Sequence, residues 1–160
     1  MISLRNGVTA FLRNKDKYLL MNRAVNRKIA PGVWSGVGGH VEPQELNDPL
    51  SACYREIEEE SGIVKSQIET LDLQYIIIRT SKSEIRQNYI YFGETSQTDV
   101  TQTDEGVLFW VNENDLLDSV DTRLSQDISP KHDTTNLDGG NEGSRVLRIS
   151  SGDSTPAFEV

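Results

Sequence analysis

The sequence predicts a single-domain mixed α/β fold, on three observations. The chain has 160 residues, the length of one ordinary domain, and no shift in composition marks a second. Short apolar runs bounded by polar turns recur along it, the pattern of strands. Among them one segment, 49–61, carries apolar residues at helical spacing between clear start and stop signals. Strands and helix together call for a sheet covered by helix.

Taken in order, 4–13 (LRNGVTAFLR) and 18–22 (YLLMN) read as strands joined by a polar turn over 14–17. Segment 23–36 is irregular and basic, with Arg23, Arg27 and Lys28 before Pro31-Gly32. Residues 34–41 (WSGVGGHV) hold three glycines, a density that marks tight backbone geometry or the close approach of a ligand. Asp48 suits a helix N-cap, Pro49 the first helical position, and Gly62 the left-handed stop. The expected apolar face is Leu50, Cys53, Tyr54 and Ile57.

Segment 68–79 (IETLDLQYIIIR) predicts a strand, or two short ones, with a turn over 81–83 and a hairpin partner over 85–93. Residues 107–111 (VLFWV) are continuous enough for a buried strand, and 112–120 reads as a short helix with Leu116 and Leu117. The polar segment 121–144 is expected to be loop with mobile parts, and 145–149 and 156–160 late strands.

Composition narrows the function classes. Lys and Arg number 16 against 25 Asp and Glu, a formal charge of −9. That balance argues against binding along a nucleic-acid duplex, which needs surplus cationic side chains. It leaves room for a small phosphorylated ligand held through a cation. Cys53 is the single cysteine, so no internal disulfide framework forms and a reducing, cytoplasmic setting is expected. The first fifteen residues lack the apolar run of a signal peptide. The longest apolar run is 107–111, so no membrane span is expected.

Chemistry concentrates on the helix. Glu56, Glu59 and Glu60 stand at i, i+3 and i+4, which stacks their carboxylates on one side. Like charges so close repel by about a few tenths of a kcal/mol per pair. Either the acids form a solvated surface run, or something positive sits on them. A hard divalent cation takes carboxylate oxygens and bridges to phosphates. Glu58 points elsewhere, while Arg55, four residues before Glu59, can orient that carboxylate.

The company of the acids adds a resemblance. Gly39, Glu45, Arg55-Glu56-Ile57, Glu59-Glu60 and Gly62-Ile63 resemble the signature of the Nudix hydrolases, G-x5-E-x7-R-E-U-x-E-E-x-G-U with U a bulky aliphatic. Nine residues, 46–54, separate Glu45 from Arg55 where the signature has seven. The surplus is expected in the loop around Asn47-Asp48. The wider order also fits: strand, GVWSGVGGHVE, signature, strand pair, then TDEGVLFWV.

The resemblance implies a Nudix-type α/β/α sandwich with a mixed β-sheet. It implies metal-dependent hydrolysis of a nucleoside diphosphate linked to another group. Glu56, Glu59 and Glu60 would be the metal ligands, with Gly39 offering its carbonyl; Mg²⁺ is the expected ion and Mn²⁺ the alternative. Arg55 would orient the carboxylates and Glu45 would support it. The general base would be a signature glutamate such as Glu59, or a later acid, for which Glu105 is the candidate.

Outside the signature, Arg23, Arg79 and Arg86 are candidate phosphate ligands or solvated charges. Trp34, Tyr89 and Phe92 are candidate base-stacking rings or core. His40 and His132 lack any ligand spacing, and Cys53 reads as core. The chain lacks the SQPWPFPxS-like array of the NADH group. Ile78 stands where ADP-ribose hydrolases resemble one another in a proline, and Arg79, Thr80 and Ser81 where diadenosine polyphosphate hydrolases have a tyrosine. What is left is similar to the MutT-like group, which implies a nucleoside triphosphate or an oxidised one as the small-molecule partner. Ser35 replaces the asparagine that many sanitisers of oxidised nucleotides carry after the tryptophan. ADP-ribose or nucleotide-sugar hydrolysis, and a non-catalytic nucleotide-sensing module, are the alternatives. A homodimer is allowed.

Overall fold

The computed structural model describes residues 1–23, 33–80, 83–116 and 144–148, the last group as backbone. Strands β1 (Ser3–Asn14) and β2 (Lys17–Arg23) meet at a tight turn where Lys15 takes φ 56°. Strand β3 (Trp34–Ser35) is short, and helix α1 runs Pro49–Ser61. Then come β4 (Ile68–Thr80), β5 (Glu84–Thr95), β6 (Gly106–Asn112) and β7 (Ser144–Arg148).

The strands form one mixed sheet in the order β3-β2-β1-β5-β4-β7, with β6 on β2. The pairing of β1 with β5 is parallel, from Ser3–Glu84 to Arg13–Glu94, and the other pairings are antiparallel. The ladder between β1 and β2 holds only Arg13–Tyr18 and Asn14–Lys17. Beyond those pairs the two strands diverge, and the glycine-rich segment takes the vacated edge of β1. Val8 N donates to Gly39 O at 2.9 Å, and Ala10 exchanges bonds with Val37 at 2.7 and 3.0 Å. A wedge opens between the diverging strands.

Helix α1 forms as its caps dictate. The Asp48 carboxylate accepts from Ser51 N at 3.1 Å, and Gly62, at φ 76°, donates its N–H to Glu58 O at 2.9 Å. Ala52, Cys53 and Ile57 are fully buried against Val8, Ala10 and Leu12 of β1. Burying a side chain such as Ile57 contributes about 1.5–3 kcal/mol. Leu50 corrects the expected face: it sits in the first turn, at the solvent end of the stripe, and stays 37% exposed. Ala52 and Ser61 take buried positions instead.

The opposite face of the sheet buries Phe11, Leu20, Ile77 and Ile90, with Leu116 packed against them. Strand β4 is continuous, not two strands, but its register shifts between Leu73 and Tyr75. That bulge sends Leu71 and Leu73 to the helix side and Tyr75 and Ile77 to the other. Of the short helix expected over 112–120, Asn112 belongs to β6, residues 113–115 form a 3₁₀ turn and Leu116 is helical. Its remainder over 117–120 lies outside the described residues, as do 81–82, most of 121–144, His132, Arg27, Lys28 and the expected strand 156–160. The late strand expected at 145–149 is β7, paired with β4. Among the described residues no helix is long and apolar enough to cross a membrane.

Candidate active site

The glycine-rich segment and α1 meet at two carboxylates. Glu60 is buried, and its Oε2 accepts from Gly38 N at 2.8 Å. Glu56, with its side chain 12% exposed, lies so close over Gly39 that a Cβ there would collide with its carboxylate. A side chain at Gly39 would push that carboxylate aside, while one at Gly38, where φ is 157°, would run into the backbone carbonyl of Val8. The Gly39 carbonyl already accepts from Val8 N, which leaves one lone pair for another partner.

Burial dominates the electrostatics of this pair. It pushes Glu60 up to about 7, with the charges of Glu56 and Glu105 adding to the rise and Arg23 opposing it. Glu56 is also raised, first by burial, against the pull of Arg55. Two desolvated carboxylates side by side, above a backbone that leaves no room for a methyl group, are a donor set suited to a hard divalent cation. Among the described residues, however, no three His, Cys, Asp or Glu side chains converge as a ready metal cage. The helix explains why. At about 100° per residue, Glu56 and Glu60 lie about 40° apart, while Glu59 lies about 60° to the other side of Glu56. Glu59 is 59% exposed and turns to Arg55.

Arg55 organises that side. Its Nε and Nη2 donate to the two oxygens of Glu45 at 2.8 Å each, its Nη1 donates to Glu56 and Glu59 at 2.9 Å each, and Nη2 also reaches His40 O. Arg55 is held well above its ordinary range by these carboxylates, Glu45 foremost, and Glu45 falls to about 2. The two extra residues before the helix are absorbed in the turn at Leu46-Asn47.

Beside the glycines lies a cleft of about 470 Å³, lined by the candidates Arg23, Trp34, Arg79 and Arg86, and by His40 at the rim. Trp34 leans on Phe109, ring centroids 5.4 Å apart. Arg23 stands opposite Gly106 in the β2–β6 ladder, next to Glu105, which explains why both charges act on Glu60. Two aromatic candidates are core. Tyr89 packs on the helix-side cluster, and Phe92 stacks on Phe11 at 5.2 Å. Burial raises the Cys53 thiol to about 12, so it is no nucleophile at neutral pH.

Arg5 and Asn88, among the residues that line the cleft, escaped the sequence reading; the Asn88 amide donates to Thr9 Oγ1 at 3.0 Å. The alternation Arg5-x-Gly7-x-Thr9 on β1 is the one sequence signal that sets Arg5 on the face of the cleft.

Fold and site define a class: a mixed-sheet domain that presents paired, desolvated carboxylates beside an arginine-lined cleft. The family described as NUDIX domain matches residues 3–131, and the chain belongs to that family. Two curated relatives match over 58 residues, or 36% of this chain. The m7GpppN-mRNA hydrolase NUDT17 of Bos taurus is 40% identical there, over 18% of its own length. The nucleoside triphosphatase NudI of Klebsiella pneumoniae (strain 342) is 41% identical, over 40% of its length. The match thus spans less than half of either relative. Among solved structures, the MutT protein from Methanosarcina mazei Go1 superposes with a TM-score of 0.63 at 22% identity, covering 78% of this chain and 90% of that one. The expected Nudix fold is borne out.

Proposed function

We propose that this chain hydrolyses a nucleoside diphosphate linked to another group, with a divalent cation, and that nucleoside triphosphates, oxidised ones included, are its preferred class. The observation that carries this reading is the buried pair Glu56 and Glu60 over Gly38-Gly39 at the edge of an arginine-lined cleft. The relative named as a nucleoside triphosphatase supports the substrate class.

In this reading Glu56 and Glu60, with the Gly39 carbonyl and Glu59, would hold the ion, Mg²⁺ or Mn²⁺. When bound, a divalent ion neutralises the diphosphate and lowers the pKa of a bound water. Arg55 keeps Glu56 from rotating and is itself fixed by Glu45. Arg23 pairs with oxygens of the diphosphate through its planar fork, and Arg79 and Arg86, farther along the cleft wall, meet another anionic part of the ligand. Trp34 supplies a flat apolar wall for a base. Glu105, half-buried in the turn before β6, and Glu59 are the candidates to take the proton of the attacking water.

The test is release of nucleoside monophosphate and pyrophosphate from a panel of triphosphates, oxidised triphosphates and nucleotide sugars, with and without Mg²⁺. Metal-dependent release from triphosphates is the expected result. Release from nucleotide sugars alone overturns the substrate class. Metal-dependent binding with no release from any of them overturns the hydrolase reading in favour of a sensing module.

A further inference from the structure

Three neighbouring strands set three arginines in one row. Arg5 of β1 stands opposite Arg86 of β5, and Arg86 stands opposite Arg79 of β4. Directly opposed residues project to the same face of a sheet, and like charges in that position destabilise it. All three line the cleft. Glu84 offsets part of the repulsion: its Oε1 lies 3.3 Å from Arg5 Nε, and its Oε2 pairs with Arg86 Nε. The Arg5 and Arg86 side chains nonetheless stay 46% and 57% exposed. In a chain of net charge −9, such a row on the wall of a cleft calls for an anionic ligand.

The next row on the same face is uncharged: Gly7, Asn88 and Ile77, again in register. Gly7 is bridged to His40, and Val8 beside it bonds Gly39, so this row adjoins the glycine pair. One two-residue step along a strand is about 7 Å. The arginine row therefore lies about 7 Å beyond the row that adjoins the glycine pair, across a floor with no charge of its own.

Building on the hydrolase reading above, we infer that Arg5, Arg86 and Arg79 form a second anion site. It takes a phosphate group of the ligand other than the diphosphate handled at Gly39 and Glu56. Arg5 thereby becomes a specificity residue, and Glu84 an internal competitor that releases the guanidinium groups when phosphate arrives. The extra phosphate belongs either to the nucleoside or to a longer phosphate chain.

Binding separates these cases without turnover. The full chain is titrated, by calorimetry at low salt, with adenosine 5′-monophosphate, adenosine 3′,5′-bisphosphate and inorganic triphosphate. One of the latter two binds about tenfold tighter than the monophosphate, the worth of one charge-assisted contact. Preference for the bisphosphate assigns the group to the nucleoside, and preference for triphosphate assigns it to the chain. Arg5→Gln combined with Arg86→Gln erases the preference. Glu84→Gln strengthens it several-fold, which a purely structural ion pair would not do. Equal binding of all three probes, or a preference unchanged in both variants, overturns the second site. A preference in a protein that hydrolyses nothing overturns only the hydrolase reading; turnover without the preference overturns only this inference.

Discussion

Glu45 and Arg55 are joined by a two-pronged ion pair, each prong 2.8 Å, across ten positions of sequence. The third nitrogen of the same guanidinium holds Glu56 and Glu59. One side chain thus ties the connection before α1 to the acidic side of α1. The pair forms despite a longer connection because the extra residues bulge out as a turn, and Asp48 restarts regular structure behind them.

The Glu45–Arg55 pair makes the fold acid-sensitive in a defined window. The folded-state pKa of Glu45, about 2, lies below its ordinary 4.5. Its contribution is therefore complete above pH about 4.5 and is lost as pH falls from there toward 2. The shift sets a ceiling of about 3 kcal/mol, which solvent screening lowers to about 1 or less. In Glu45→Gln the melting temperature should fall less steeply with acid than in the wild type across that window. Parallel curves by circular dichroism would refute the assignment.

Arg55→Lys tests whether the fork matters to turnover. An ammonium cannot span both oxygens of Glu45 and still reach Glu56 and Glu59. We expect kcat to drop by about 10–100-fold with KM little changed and the melting temperature lower by only a few degrees. A loss confined to KM would mean that Arg55 contacts the substrate instead of positioning the acids.

Gly39→Ala should be damaging out of proportion to its size. The added methyl meets the Glu56 carboxylate, which must rotate away. The carboxylate is the far end of a flexible side chain, so it yields with little loss of stability, and the effect falls on the site. Activity should fall by about 100-fold or more, since a displacement of about 1 Å at a catalytic group has that effect. Wild-type kinetics in a folded Gly39→Ala protein would remove Glu56 and Gly39 from the site.

Adding Mg²⁺ or Mn²⁺ should raise the melting temperature, because an ion that binds only the native state stabilises it by mass action. At about one hundred times its dissociation constant the gain is about 2.7 kcal/mol. Glu56→Gln and Glu60→Gln should each abolish the shift, and chelation should abolish turnover. A shift of wild-type size in both variants would place the ion elsewhere.

Much of the site was legible because it is local. Asp48, Pro49 and Gly62 bound α1 through contacts within a few residues, and Arg55 reaches Glu59 one turn away. The Gly38-Gly39 backbone and Glu60 needed only a dense run of glycines beside an acidic helix to be suspected. What stayed hidden depends on register. Arg5, Arg86 and Arg79 lie far apart in sequence and meet only because β1 runs parallel to β5 and β5 antiparallel to β4. The fate of Tyr89 and Phe92 depends on which face each strand turns inward, and the bulge in β4 swaps faces midway. Leu50 was misread because periodicity finds a stripe without showing where along the helix its cover ends.

The divergence of β1 from β2 has a bearing on how such a protein changes over generations. The glycine segment is hung on β1 by main-chain bonds from Val8, Ala10 and Val37, which do not depend on side-chain identity. The reactive end of the wedge is therefore insulated from substitutions on its floor. Arg5 and Asn88 can be exchanged while the carbonyl of Gly39 and the acids above it keep their station. A scaffold wired in this way can trade one ligand for another in single steps and keep the placement of its acids through every intermediate.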